Sequence, residues 1–184
     1  MGQRSQIYVK YNGKLIIANY YQWNYGERMI SRARYGIEYL KYYVDNGYTF
    51  QFESEREIEK FRRYFDVNFD MKDIVMSVDI FKEYEDFKKY YPNFEEYAYF
   101  KQGNNDGKLL IDIRDENIKY AFVDCTFDME NIMTAEKYID WNTEGKAEEH
   151  LSKEDMETLE ENIKAINEAA ELMTREEVER FVTN

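Results

Sequence analysis

The chain is short of the residues from which common active sites are built. Its 184 residues include one cysteine, one histidine and one proline. A lone cysteine, Cys125, cannot form an internal disulfide or a cysteine-rich zinc site, and it indicates a reducing compartment. It ends an apolar strand pattern, which favours a small core residue over a nucleophile paired with His150. No Ser-His-Asp triad can be built around that one histidine.

Long apolar runs and common ligand-binding motifs are also missing. No run of 18 apolar residues occurs, and Arg4, Lys10 and Lys14 interrupt the first segment, so we expect neither a membrane span nor a signal peptide. Residues 66–70 begin like a calcium loop, but Met71 stands where glycine is required. No phosphate-binding glycine loop or zinc-protease motif occurs. We therefore expect a cytoplasmic protein without metal or cofactor, and the sequence leaves open whether it is an enzyme.

Negative charge is in excess and is unevenly distributed. Residues 1–34 carry six basic residues and one acid, Glu27, for a net charge of +5. The remaining 150 residues carry 19 basic and 37 acidic residues, for a net charge of −18. We expect such a chain to avoid direct contact with nucleic acid and with anionic membranes. The first segment instead crowds Gln, Asn, Arg, Tyr and Trp together, and this makes it a candidate site.

Two β-hairpins are predicted. Asn12-Gly13 separates two strand patterns and is a strong hairpin signal, because both turn residues must take positive φ. A second hairpin is expected around residues 115–117, between strands at 108–114 and 118–125. In the first hairpin a two-residue turn would place Val9 opposite Ile16, and the middle of the hairpin would be apolar on both faces, as in a buried strand pair.

Apolar residues spaced by three and four positions predict the helices. One helix ends at Asn46-Gly47, and another begins at Ser54, whose capping box includes Glu57. A long helix begins at Ser152 with an apolar repeat that continues to Met173. Residues 71–87 fit a helix, although a strand near 74–80 is also compatible with them. Further expectations are a strand at 49–52, a capped helix start at 93–96, a short helix at 129–138 and a last helix capped by Thr174.

Together these elements predict one α+β domain over residues 1–184. Its antiparallel sheet would be built from the two hairpins, with helices packed on it. Residues 150–184 would form a helical C-terminal extension.

The open end of the first hairpin, which we call the hairpin mouth, is polar on both faces. The next helix would bring free N–H groups and positive potential to it. Two interpretations are open: the mouth binds an anion or polar ligand, or its amides satisfy backbone groups while its arginines offset the acidic body. The candidate ligand-binding residues are Gln3, Arg4, Gln6, Gln22, Trp23, Tyr25, Arg28 and Asp112, with Asp112 or Asp124 as a possible general base.

The pattern Met-Gly-Gln-Arg, a hairpin and then Gln22-Trp23-Asn-Tyr-Gly26 resembles a family of small uncharacterised proteins from phages, bacteria and fungi. Those proteins begin Met-Gly-Thr-Arg or Met-Gly-Gln-Arg and carry a later Gln-Trp-x-x-Gly-type motif. Residues 108–120 are similar to their second block, a strand with Ile-Asp followed by a hairpin. Asn24 departs from the aspartate that many of them have. The resemblance implies a fold core and a site at Gln3, Arg4, Gln22, Trp23, Gly26 and Asp112, but no reaction.

The last third of the chain is a second candidate surface. From Asp140 onward it has 14 acidic and five basic residues. Acids along the long helix are typical of a solvated helix face. They would alternatively imitate nucleic-acid phosphates and occupy a basic cleft of a partner. The candidate partner-binding residues are Glu154, Glu157, Glu160, Glu161, Glu168 and Glu171.

Two functions follow from these surfaces. The first is an acidic binding protein, encoded by a phage or prophage, that inhibits a host nucleic-acid-handling or immune protein, such as a CRISPR component, in the host cytoplasm. The distribution of the resembling family and the missing catalytic constellation favour it. The second is a small nucleotide- or anion-binding protein, or a hydrolase, with its site at the hairpin mouth.

Overall fold

The computed structural model describes residues 4–50, 52, 54–68, 70, 73–74, 77–80, 106–124 and 131–183. They confirm the α+β class, with helices packed on a sheet. The strands are β1 (Arg4–Tyr11), β2 (Lys14–Gln22), β3 (Val67–Asn68), β4 (Asp73–Ile74), β5 (Ser77–Asp79), β6 (Lys108–Arg114), β7 (Asn117–Val123), β8 (Ile132–Met133) and β9 (Glu171–Leu172). The helices are α1 (Glu27–Asp45), α2 (Glu55–Asp66), α3 (Ala135–Asn142), α4 (Ala147–His150), α5 (Lys153–Ala169) and α6 (Arg175–Thr183).

The first hairpin is confirmed, but its register differs from the expected one. Asn12 and Gly13 form the turn with φ of 47° and 81°. Val9 faces Ile17 instead of Ile16, because a β-bulge between Val9 and Lys10 shifts every pair from Val9 to the mouth by one residue. As a result, Arg4, the first residue of β1, pairs at the mouth with Gln22, the last residue of β2.

The second hairpin is also confirmed, with a tighter turn than expected. Asp115 and Glu116 alone form it, with φ of 46° and 70°, and Asn117 already belongs to β7. Cys125 lies outside the described residues.

The sheet is mixed and not purely antiparallel, which corrects the expected architecture. Its strand order is β5-β2-β1-β6-β7-β8, and β9 pairs with β7. The two hairpins are joined by a parallel pairing of β1 with β6, in which Gln6 faces Lys108. Parallel strands begin at the same edge of a sheet. The residues just before β6 therefore lie beside the first residue of β1, at the hairpin mouth.

The predicted starts of the helices agree with the structure better than their predicted ends do. Ser152 caps α5 through a capping box with Asp155, and Thr174 caps α6 by accepting a hydrogen bond from the Glu177 N–H. The predicted continuation of α5 to Met173 is wrong, because Ala170 is extended and ends the helix.

The strand expected at 49–52 is not present among its described residues, whereas β4 and β5 support the strand alternative near 74–80. The predicted helix start at 93–96 lies outside the described residues.

Both faces of the sheet are buried. Ile7, Val9 and Ile111 pack with α1 and α2 on one face, whereas Tyr8 and Leu110 pack with α6 on the other. Helix α5 packs against α1 and contributes Leu159 and Ile166 to the first of these clusters. The 150–184 segment is thus built into the domain core.

Candidate functional site

The hairpin mouth is closed by the loop that precedes β6. The N–H of Asp106 donates to the Arg4 carbonyl at 3.0 Å, and the N–H of Arg4 donates back to the Asp106 carboxylate. The Tyr138 hydroxyl donates to the Asp106 carbonyl at 2.8 Å. Burial raises the pKa of Asp106, although hydrogen bonds from Arg4 and Asn142 oppose this. Asp106 therefore ties β1, the β6 loop and α3 together.

A buried polar network lies directly behind the mouth. Asn24 is fully buried and donates to the Ser5 hydroxyl at 2.8 Å. Its carbonyl oxygen accepts a 3.1 Å hydrogen bond from Arg32 Nη1, and the Arg32 guanidinium lies 5.9 Å from the centre of the Tyr21 ring. Arg32 is 1% exposed. The Asn24 amide and the Arg32 guanidinium thus bind each other inside the protein.

The residues predicted to bind a ligand are not all brought together. Gln6 is fully buried. Asp112 faces Lys10, six strand positions from Arg4 and therefore about 20 Å along β1. Asp124 directly follows β7, whose last residue pairs with Lys108, so it lies at the mouth end of the sheet. Gln3 lies outside the described residues. The residues that remain at least partly accessible at the mouth are Arg4, Gln22, Trp23, Tyr25 and Arg28.

Sequence reasoning missed Asp106, the acid that the structure places at the mouth. Its position depends on the parallel pairing of β1 with β6, whose strands are about 100 residues apart in the chain. No local pattern signals that pairing.

Trp23 is the most unusual accessible residue at the mouth. It is 56% exposed, and its φ of 60° is uncommon for a residue other than glycine. Nearby, the Arg28 guanidinium lies 5.8 Å from the centre of the Tyr25 ring and 3.9 Å from the Glu27 carboxylate. The accessible part of the mouth is thus an aromatic and arginine surface.

The predicted acidic surface is largely formed by α5. Five of its six glutamates lie on that helix and are exposed. The sixth, Glu171, is exposed on β9 and lies 3.7 Å from Lys119, so its predicted place on the helix is wrong. Glu157 and Glu168 pair with lysines on their own helix at 3.5 and 3.8 Å. Among the described residues, no ion pair within 4 Å joins a cation to Glu154, Glu160 or Glu161.

A cavity of about 110 Å³ lies between part of α5 and the first turns of α1. Asp70 accepts hydrogen bonds of 2.7 Å from the Tyr35 hydroxyl and from Asn162 Nδ2. Burial raises the pKa of Asp70, but these bonds and one from Ser31 outweigh it, and the net pKa is lowered. Glu27 faces the same space, and burial raises its pKa. The lining residues are Glu27, Ser31, Asp70, Glu154, Asp155, Thr158, Leu159 and Asn162.

A larger cavity of about 310 Å³ lies on the other side of α5, against α3 and α4. Carboxylates again border it, including Glu160. Helix α5 is therefore an acidic ridge between two carboxylate-lined cavities.

No group of three or more His, Cys, Asp or Glu side chains in the described part of the chain is arranged to hold a metal ion. None of the helices described there combines the length and apolar character needed to cross a membrane.

Comparisons with models of protein families, with curated proteins and with solved structures found no match.

Proposed function

We propose that this protein is an acidic binding protein whose α5 carboxylates occupy a basic, nucleic-acid-binding surface of a partner protein. The observation that carries the proposal is the line of glutamates Glu157, Glu161 and Glu168 along the exposed side of α5, which we call the acidic stripe. At 1.5 Å per residue, Glu157 and Glu161 are separated by about 6 Å along the helix axis. A rigid helix holds the charges of the stripe in a fixed row.

Charge complementarity gives such a surface its selectivity. A row of carboxylates attracts a cleft lined by lysine and arginine, and it repels nucleic acid and other acidic surfaces. The unequal charge distribution of the chain supports this, because the negative charge is concentrated where α5 lies. The closed network behind the mouth supports it too, since Asn24 and Arg32 are used in holding the fold together.

The narrower form of the proposal names the partner class. The partner would be a host nucleic-acid-handling or immune protein, and the chain would be carried by a phage or prophage as its inhibitor. The support for this form is the resemblance of the first segment to a family found in phages.

Native mass spectrometry tests the proposal. Three forms of the protein are purified gently from phage-infected host cells: the wild type, a stripe variant with Glu157→Gln, Glu161→Gln and Glu168→Gln, and a control with Glu55→Gln, Glu116→Gln and Glu176→Gln. The control removes three exposed charges elsewhere. We expect a stoichiometric host protein on the wild type and the control and its loss from the stripe variant. Equal retention by all three would reject the proposal.

The second candidate, a nucleotide- or anion-binding protein or hydrolase, is favoured by one observation: the exposed Trp23 ring, five residues before the partly exposed Arg28. A stacking ring and a guanidinium suit a planar anionic ligand. In the same experiment this candidate expects a small anionic mass on the wild type and the stripe variant, which disappears in an Arg4→Ala, Trp23→Ala variant.

A further inference from the structure

The larger cavity beside α5 has a composition that the acidic stripe does not share. Its volume is about 310 Å³, it is open to solvent on one side, and it is bordered by α3, the turn that follows α3, α4 and the first half of α5. That volume falls at the lower end of the range of small-molecule pockets, about 300–1,000 Å³. The cavity is thus large enough for a small organic ligand and is not merely a gap between side chains.

The floor of the cavity is apolar. Ile139 and Leu159 are buried, and Met156 and Ile163 are partly buried. Methylene groups that cover this floor would be removed from water, which favours binding. An inorganic cation could not use such a floor. The floor side chains are Ile139, Ala147, Met156, Leu159 and Ile163.

The rim of the cavity is anionic. Five carboxylates border it against one lysine, Lys146, which lies 3.9 Å from Glu144 outside the lining. Among the described residues, no ion pair within 4 Å joins a cation to Asp140 or Glu160, and the same holds for the two glutamates of α4. The rim carboxylates are Glu136, Asp140, Glu148, Glu149 and Glu160.

We propose that this cavity binds an aliphatic polyamine. A polyamine joins several ammonium groups by short methylene chains, so its cations meet the rim while its chains lie on the floor. The apolar floor and the anionic rim are therefore both contacted by one molecule. A ligand without methylene chains would leave the floor uncovered, and a ligand without cations would leave the rim unpaired. This site does not depend on a protein partner, and its rim differs from the acidic stripe.

The experiment uses the methyl group of Met156 as a reporter of the cavity floor. The protein is labelled with ¹³C at its eight methionine methyl groups, and the Met156 signal is assigned by its loss in Met156→Leu. Spermidine is titrated at physiological salt. A neutral chain, 1,8-octanediol, tests the floor without the charges, and Mg²⁺ tests the rim without the chain. We expect a saturable shift of the Met156 signal with spermidine and no comparable shift with either control ligand.

Two variants locate the binding. Asp140→Asn with Glu160→Gln removes two rim charges and should weaken spermidine binding roughly tenfold, a loss of about 1.4 kcal/mol. The Glu55→Gln, Glu116→Gln, Glu176→Gln control should bind as the wild type does.

Three results would overturn the proposal: no saturable shift, an equal shift with Mg²⁺, or an equal loss in the control variant. The last two would mean that spermidine acts only as a counterion of an acidic protein. The stripe variant keeps this question separate from the proposed function. It should retain spermidine binding even though it loses a protein partner, and either property can fail without the other.

Discussion

Arg32 Nη1 donates a 3.1 Å hydrogen bond to Asn24 Oδ1, so a guanidinium from α1 is held by an amide from the segment between β2 and α1. Both side chains are buried, and the Asn24 amide also donates to Ser5 on β1. The pair therefore fixes the first hairpin to the helix that follows it. It also gives a structural role to one amide and one arginine of the carboxylate-poor first segment.

Asn24→Ala should lower the free energy of unfolding by about 1.5–3 kcal/mol, because a buried charged group loses a hydrogen bond that water cannot replace. Urea denaturation measures it. The matched control is Asn46→Ala, whose exposed side chain donates only to the Tyr42 carbonyl. The control substitution should lower the free energy of unfolding by less than about 1 kcal/mol. Equal losses in the two variants would contradict a structural role for the network.

Gly36 permits the close approach of α1 to α2. A Cβ atom at this position would lie 2.1 Å from Cε1 of Phe65. We expect Gly36→Ala to destabilise the protein by about 1–3 kcal/mol, despite the better helix propensity of alanine. Adding Phe65→Leu should recover part of this loss in a double-mutant cycle. If the two changes are additive within about 0.5 kcal/mol, the helices do not meet at these residues.

The ion pair of Lys119 with Glu177, at 2.8 Å, links β7 to α6 and should make stability depend on pH. Partial burial raises the pKa of Glu177, but hydrogen bonds from Lys119 and from the Thr174 N–H outweigh it, and the net pKa is lowered. A carboxylate whose folded pKa lies below its unfolded value of about 4.3 stabilises the fold above that value. The stabilisation is lost as the pH falls through the folded pKa.

Glu177→Gln should therefore be less stable than the wild type at neutral pH, by at most about 1 kcal/mol because both side chains are partly exposed. The difference should shrink as the pH falls below about 5. Urea denaturation at a series of pH values measures it. A difference for Glu177→Gln that is independent of pH would contradict the lowered pKa.

The stripe variant should not be destabilised. Glu157 and Glu161 are four residues apart on α5, where like charges repel, and Glu168 lies at the helix C-terminus, where negative charge is unfavourable. The changes also remove the pairs of Glu157 with Lys153 and of Glu168 with Lys164, so we expect the gain and the loss to offset each other and the free energy of unfolding to change by less than about 0.5 kcal/mol. Thermal denaturation at two ionic strengths measures this. A larger loss of stability would mean that these carboxylates serve the fold.

Local sequence signals predicted the elements whose causes are local. Asn12-Gly13 marked a turn because few other residue pairs adopt two positive φ values, and Ser152 marked a helix start because its hydroxyl can cap it. The β-bulge between Val9 and Lys10 had no such signal, since Ile16 and Ile17 are both apolar and buried and either could face Val9. The end of α5 was missed because the apolar spacing continues through Ala170 into β9.

The candidate site was predicted in part for the same reason. The hairpin mouth was located from its own residues, and the acids of α5 from the helix period. Asp106 was missed and Asp112 was placed at the mouth, because both positions depend on a parallel pairing of β1 with β6. Pairings between distant segments depend on packing of the whole sheet and leave little trace in a single sequence.

The most direct test of the central claim measures whether the protein displaces nucleic acid from its partner. The host protein captured on the wild type is loaded with labelled double-stranded DNA, and the three forms of the protein are titrated into this complex. We predict that the wild type and the control release the DNA as they bind, and that the stripe variant needs roughly tenfold more protein, a loss of about 1.4 kcal/mol. If the partner holds the DNA and this protein at the same time, the α5 carboxylates do not occupy a nucleic-acid-binding surface.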